Sequence, residues 1–106
     1  MSNPLFQIDN RKIGLDHTPL IIAEIGINHG GSLEVAKKMV DTAVESGVEI
    51  IKHQTHIAAE EMSDEAKKVI PTHTKNSIFE IIENCQLNES DEFELMKYVQ
   101  SKNKIF

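Results

Sequence analysis

Only one cysteine, Cys85, occurs in the 106 residues, so an intrachain disulfide is excluded, in keeping with a reducing compartment. Tryptophan is missing, and the aromatics are four phenylalanines and one tyrosine. With 40% hydrophobic residues the chain can still bury a modest core at about the usual size of one domain. No apolar run approaches the ~18–20 residues of a membrane helix, and residues 1–12 hold no stretch of the secretory-signal type. The expectation is a cytoplasmic protein with no membrane partner. Positive charge is scarce too: 11 Lys and Arg against 17 Asp and Glu leave a formal charge of −6. That balance lacks the clustered cations a phosphate backbone requires, so no nucleic-acid partner is expected. The acids gather at residues 60–65 and 80–94 and read as solvated helix faces. No repeat, proline-rich linker or low-complexity tract divides the chain.

What is present is a strand, helix, strand pattern. Residues 6–14 alternate weakly and predict a short strand or hairpin turning at Asp9-Asn10. Residues 20–27 form a nearly continuous apolar run, the pattern of a parallel strand covered on both faces. Asn28-His29-Gly30-Gly31 reads as a loop, and Ser32 as the N-cap of a helix that buries Leu33, Ala36, Val40, Ala43 and Val44 and stops at Gly47. Residues 48–54 predict the second strand, joined to the first by a crossover that is right-handed by general preference. A long loop over residues 55–75 should carry a short helix at residues 63–69. Ser77 to Glu80 is a capping box, and a last helix starting near Asn88 or Ser90 should turn Phe93, Met96 and Val99 inward. Lys104-Ile105-Phe106 reads as the opening of a third strand.

This order predicts an α/β fold, the N-terminal part of a (β/α)8 TIM barrel that breaks off at the start of its third strand, since a whole barrel needs ~250 residues. Patterning alone leaves a small self-contained α/β domain equally open.

Both strands run into polar, chemically capable groups. Period-two alternation puts Ile22, Glu24 and Gly26 on one face of the first strand, and Ile50, Lys52 and Gln54 on one face of the second. A charge inside a buried strand is costly without compensation, so Glu24 and Lys52 form either a buried ion pair or part of a site at the carboxyl-end rim. In the second case Lys52 suits a phosphate or carboxylate, Gln54 suits sugar hydroxyls or an amide, and Glu24 can orient a hydroxyl or move a proton. The five histidines do not assemble a metal site. His53 and His56 do not share a face, and His53 should point away from Lys52 and Gln54. His29 at the rim reads as a surface or supporting residue before a direct ligand, and His17 and His73 have no usable context. Cys85 reads as packing, and Gly30-Gly31 lacks the spacing of a dinucleotide or P-loop motif.

The stretch from Ile22 to Leu33 (Ile-Ala-Glu-Ile-Gly-Ile-Asn-His-Gly-Gly-Ser-Leu), the run Lys52-His53-Gln54-Thr55-His56, and the segment from Glu61-Met62-Ser63 to Ile70-Pro71 together resemble the N-terminal part of bacterial N-acetylneuraminate (sialic acid) synthases. The resemblance extends over about residues 6–106. Its first motif is shared with synthases of legionaminic and pseudaminic acids and with spore-coat polysaccharide proteins, and the other two look most like the neuraminate branch.

The resemblance implies a (β/α)8 barrel followed by a small antifreeze-like domain in a domain-swapped homodimer. It also implies condensation of phosphoenolpyruvate with N-acetylmannosamine to sialic acid and phosphate, for surface polysaccharide such as capsule or lipooligosaccharide. A divalent cofactor, manganese or magnesium, is implied to polarise the sugar aldehyde. On the same resemblance Lys52 holds the phosphoenolpyruvate phosphate, Gln54 contacts the sugar, and Glu24 serves the reacting centre. The family's metal ligands, remaining strands and C-terminal domain fall beyond residue 106, so residues 1–106 are expected to form an incomplete barrel segment with no metal ligand of its own. By itself such a piece is expected to fold poorly and to lack synthase activity. The competing expectation is a non-catalytic truncated fragment or interaction module.

Overall fold

The computed structural model describes residues 2–106. The chain opens with an antiparallel hairpin of β1 (Leu5–Ile8) and β2 (Arg11–Gly14), paired from Leu5 opposite Gly14 to Ile8 opposite Arg11. Its turn lies at Asp9-Asn10, where Asp9 takes a φ of 50°, a left-handed conformation that short polar residues tolerate. The hairpin is tethered to the rest by Arg11, which donates to the Glu49 carboxylate at 2.6 Å and to the Thr18 carbonyl at 2.6 Å.

Then come β3 (Ile22–Gly26), α1 (Leu33–Glu45) and β4 (Ile50–His53), with β3 and β4 parallel. Both strands are shorter than the apolar runs that contain them, although the pairing continues just beyond, where the Ile21 carbonyl accepts from the Glu49 and Ile50 amides. Helix α1 begins where Ser32 accepts a hydrogen bond from the Val35 amide at 3.2 Å. It ends in paired 6→1 and 5→2 hydrogen bonds, Val48 N–H to Ala43 C=O and Gly47 N–H to Val44 C=O, with Gly47 at φ +88°. The loop after β4 carries α2 (Ala58–Glu61) and a single 3-10 turn at Ala66–Lys68. The turn falls inside the expected helical segment, whereas α2 has no capping side chain and no periodic signal to announce it. Helix α3 (Ile78–Cys85) opens on the expected capping box: Ser77 accepts from the Glu80 amide, and the Glu80 carboxylate accepts from the Ser77 amide.

Helix α4 (Glu89–Ser101) is capped by Asn88, whose side chain accepts from the Asp91 amide at 2.8 Å. It ends as α1 does, with Asn103 at φ 59° in place of glycine and Lys104 N–H donating to Val99 C=O. That turn delivers Ile105 alongside β4 in a parallel bridge to Ile50, with Ile51 N–H donating to Ile105 C=O at 2.9 Å. This single bridge falls within residues 104–106, the segment expected to open a third strand, and no further strand forms among the described residues.

The core lies on one side of this sheet. Ile25 and Ile51 (the latter 1% exposed) point into it and meet Ala36 and Val40 of α1, Leu95 and Val99 of α4, Val48 and Leu87. Phe93 corrects an expectation, since it is 52% exposed rather than inward. Two apolar stripes compete on α4, and Leu95 with Val99, one turn apart, faces α1. Phe93 lies two residues, about 200°, from Leu95 and so on the opposite side.

A second correction concerns the strands, which are covered on one face only. Ile22 and, beside it in sequence, Ile21 are exposed, and the sheets are open, with no closed barrel among the described residues. The Cα radius of gyration is 17.2 Å, against about 13 Å for a compact chain of this length.

Candidate active site

The open face carries the charged residues picked out by alternation. Glu24 on β3 and Lys52 on β4 are register partners, and Lys52 Nζ donates to Glu24 Oε1 at 3.0 Å. The pair is real but not buried. The Lys52 side chain is 54% exposed and that of Glu24 66%, because no element covers this side of the sheet. Past Glu24 the register slips by one residue, so Gly26 rather than Ile25 lies opposite His53. Gly26 takes φ +56°, and a Cβ there would sit 3.7 Å from Gln54 Oε1 and 3.8 Å from Asn28 Nδ2. Gln54 therefore hangs over the end of β3, and the structure brings Glu24, Lys52 and Gln54 together at the carboxyl ends of the two strands. Beside them a shallow depression of about 310 Å3 opens between Ile22, Lys52, Thr55 and Phe106. A hollow of about 380 Å3 at the amino end of the sheet is lined by Arg11 and Glu49, whose charges already satisfy each other. The Arg11 hydrogen bond holds the Glu49 carboxyl below its ordinary range.

The other face holds the histidines. His53 points away from Lys52, as alternation requires, and its side chain is 2% exposed. His53 Nε2 lies 2.9 Å from Glu92 Oε1, while Glu92 Oε2 accepts from Thr55 Oγ1 at 3.0 Å. His29, expected at the surface or in a supporting role, is only 3% exposed. Its Nδ1 accepts from the Gly31 amide at 3.0 Å, a tight loop contact that turns the ring inward to within 5.2 Å of the His53 ring. Burial pushes the His29 imidazole below its usual value, the neighbouring His53 adds to this, and Glu92 opposes it.

Gly31 itself, at φ +84°, passes so close to α3 that a Cβ would meet the Asn84 carbonyl oxygen at 2.5 Å. His56 lies by the Glu61 carboxylate at 2.8 Å, Cys85 is a half-buried free thiol, and His17 and His73 join no cluster. Glu92 was not visible in the sequence, because it sits in the acidic stretch 80–94 that reads as a solvated helix face, with nothing to connect it to His53, 39 residues earlier.

The donors present do not fit a divalent metal. The Glu24 carboxylate is engaged by an ammonium group, His53 and His56 face carboxylates of their own, and His29 Nδ1 serves the backbone. Among the described residues no group of three or more His, Cys, Asp or Glu is arranged to hold an ion. No helix of these residues is long and apolar enough to cross a membrane.

Residues 39–106 match the model of the NeuB family. The chain belongs to the NeuB family. Among curated NeuB-like relatives, it is 33% identical over 103 residues to the spore coat polysaccharide biosynthesis protein SpsE of Bacillus subtilis, covering 95% of this chain and 27% of that protein. It is also 33% identical over 91 residues to the N,N'-diacetyllegionaminic acid synthase of Campylobacter jejuni, covering 82% of this chain and 27% of that one. In structure it is similar to the N-acetylneuraminic acid synthetase of Leptospira borgpetersenii, solved in complex with citrate. That superposition has a TM-score of 0.80 at 26% identity and covers 98% of this chain and 33% of the other. The chain thus spans about a quarter of the length of these curated relatives, and its α/β fold matches the N-terminal third of the barrel chains of the NeuB family.

Proposed function

We propose that these residues build one wall of a synthase site that joins phosphoenolpyruvate to N-acetylmannosamine, releasing sialic acid and phosphate. The carrying observation is the Glu24–Lys52 pair, half-exposed at the carboxyl ends of two parallel strands with Gln54 beside it. An ion pair this exposed is worth only ~0–1 kcal/mol to a fold, so packing gives little reason for two charges on a strand face, and both remain available to a ligand. In this reading Lys52, a compact and mobile ammonium, leaves Glu24 to hold the phosphate of phosphoenolpyruvate. Gln54 offers a donor and an acceptor to the sugar, and Glu24, freed of its cation, orients a hydroxyl or water at the reacting centre.

The same reading makes residues 1–106 the opening segment of a barrel domain in a cytoplasmic homodimer. The other walls, an antifreeze-like domain and the ligands of a manganese or magnesium ion come from sequence outside them. A second reading, synthesis of a legionaminic acid from a diacetylated aminosugar, is favoured by the match to the Campylobacter jejuni enzyme over 82% of the chain. The assay is phosphate release by the full-length protein from phosphoenolpyruvate with each aminosugar in turn. Release with N-acetylmannosamine supports the first reading, release only with the diacetylated sugar supports the second, and none with either removes both. The 106-residue chain alone should release none.

A further inference from the structure

The polar cluster behind the sheet has a definite donor and acceptor logic. A carboxylate only accepts, so the proton between Glu92 and His53 belongs to His53 Nε2, and in the neutral ring His53 Nδ1 is then an acceptor. His29 Nδ1 accepts from the Gly31 amide, so its proton sits on Nε2. Those two remaining nitrogens, His29 Nε2 and His53 Nδ1, are both buried without a partner. They belong to neighbouring rings and are complementary in kind, one donor and one acceptor. Glu92 also takes the Thr55 hydroxyl, so one carboxylate on α4 grips β4 at its last residue and again two residues on, either side of Gln54.

We propose that Glu92 is a positioning residue for the site on the opposite face: through His53 and Thr55 it fixes the strand end that presents Lys52 and Gln54, and through the His53–His29 ring pair it fixes the loop after Glu24. The physical case is reach and geometry. Successive strand residues point to opposite faces, so the torsions of His53 set the directions of both Lys52 and Gln54. A charge-assisted hydrogen bond from a helix packed on the core is a stiff anchor for them. This rests on the assignment of Lys52 and Gln54 to substrate made above.

The test is done on the full-length protein with nitrogen-15-labelled histidine. In the wild type, long-range proton–nitrogen correlations should show His29 and His53 each protonated at Nε2. Glu92→Gln keeps the shape and removes the charge. It should leave the melting transition cooperative, release His53 from its single tautomer, and raise KM for phosphoenolpyruvate and for the aminosugar about fivefold or more, with kcat less affected, as misplaced Lys52 and Gln54 would. Wild-type His53 protonated at Nδ1, an unchanged His53 tautomer in Glu92→Gln, or KM rises below about fivefold for both substrates in that variant overturns the inference. If the wild type turns over no aminosugar, the substrate assignment fails separately, and the tautomers alone decide whether Glu92 controls the ring pair.

Discussion

Adding one methyl group at Gly31 and the same group at Gly30 should have very different costs. Both glycines have positive φ, +84° and +62°. At Gly30 a Cβ meets nothing within 4 Å, whereas at Gly31 it would lie 2.5 Å from the Asn84 carbonyl oxygen and 3.6 Å from that of Gln86. The left-handed conformation costs an alanine about 1–2 kcal/mol, and the stiffer unfolded chain returns about 0.4–1 kcal/mol of that. Gly30→Ala should therefore cost about 1 kcal/mol. Gly31→Ala bears the same cost plus an overlap with backbone that cannot rotate away, of the order of 1–3 kcal/mol for overpacking. The expected difference is about 2 kcal/mol. In urea unfolding of the full-length protein, a slope of about 2 kcal/mol/M puts the Gly31→Ala midpoint about 1 M below that of Gly30→Ala. Midpoints agreeing to within about 0.2 M, a small part of the expected separation, would refute the close approach of the β3–α1 loop to the end of α3. The inward turn of His29 would then have to be argued without it.

Lys52→Ala in the full-length protein should raise KM for phosphoenolpyruvate by about tenfold or more, since a charged hydrogen bond to a phosphate is worth about 1.5–3 kcal/mol; equal loss for both substrates would undo that role. The fold disfavours protonated His29, so below its ordinary value of 6.5 the unfolded chain binds more protons than the native one. Stability should thus be full above that pH and decline as pH falls from it towards the depressed native value. His29→Asn, which keeps an acceptor for the Gly31 amide, should flatten the decline in urea midpoints, and an unaltered slope would clear His29 of it. Leu95→Ala should cost about 2–5 kcal/mol and Phe93→Ala less than half as much; comparable losses would mean that α4 is rotated from the orientation described.

Local rules carried the fold a long way. Ser32, Gly47, Ser77 and Asn88 each have a hydrogen-bonding or conformational job that short-range chemistry dictates, and each does it. Alternation likewise sent Ile25 and Ile51 to the core and brought Glu24 to Lys52. What stayed hidden depends on which neighbours arrive. The apolar run around Ile22 looks buried on both faces, yet burial is a property of what packs there. Phe93 and Leu95 are both apolar, and α1 chose between them. Glu92 belonged to a run of acids that read as a solvated helix face until the fold laid α4 beside β4.

The one-residue slip between Glu24 and Gly26 sets the kind of change this segment can survive over generations. Ile25 is the unpaired residue, and it alone sends an apolar side chain inward at that level while Glu24 stays on the open face. Losing or gaining a single residue here would exchange the two sides, turning a carboxylate into the core and an isoleucine towards the open face. Descendants of this sequence should therefore diverge between Ile22 and Gly31 by replacement of side chains at constant length, while insertions and deletions accumulate in the long loop after β4.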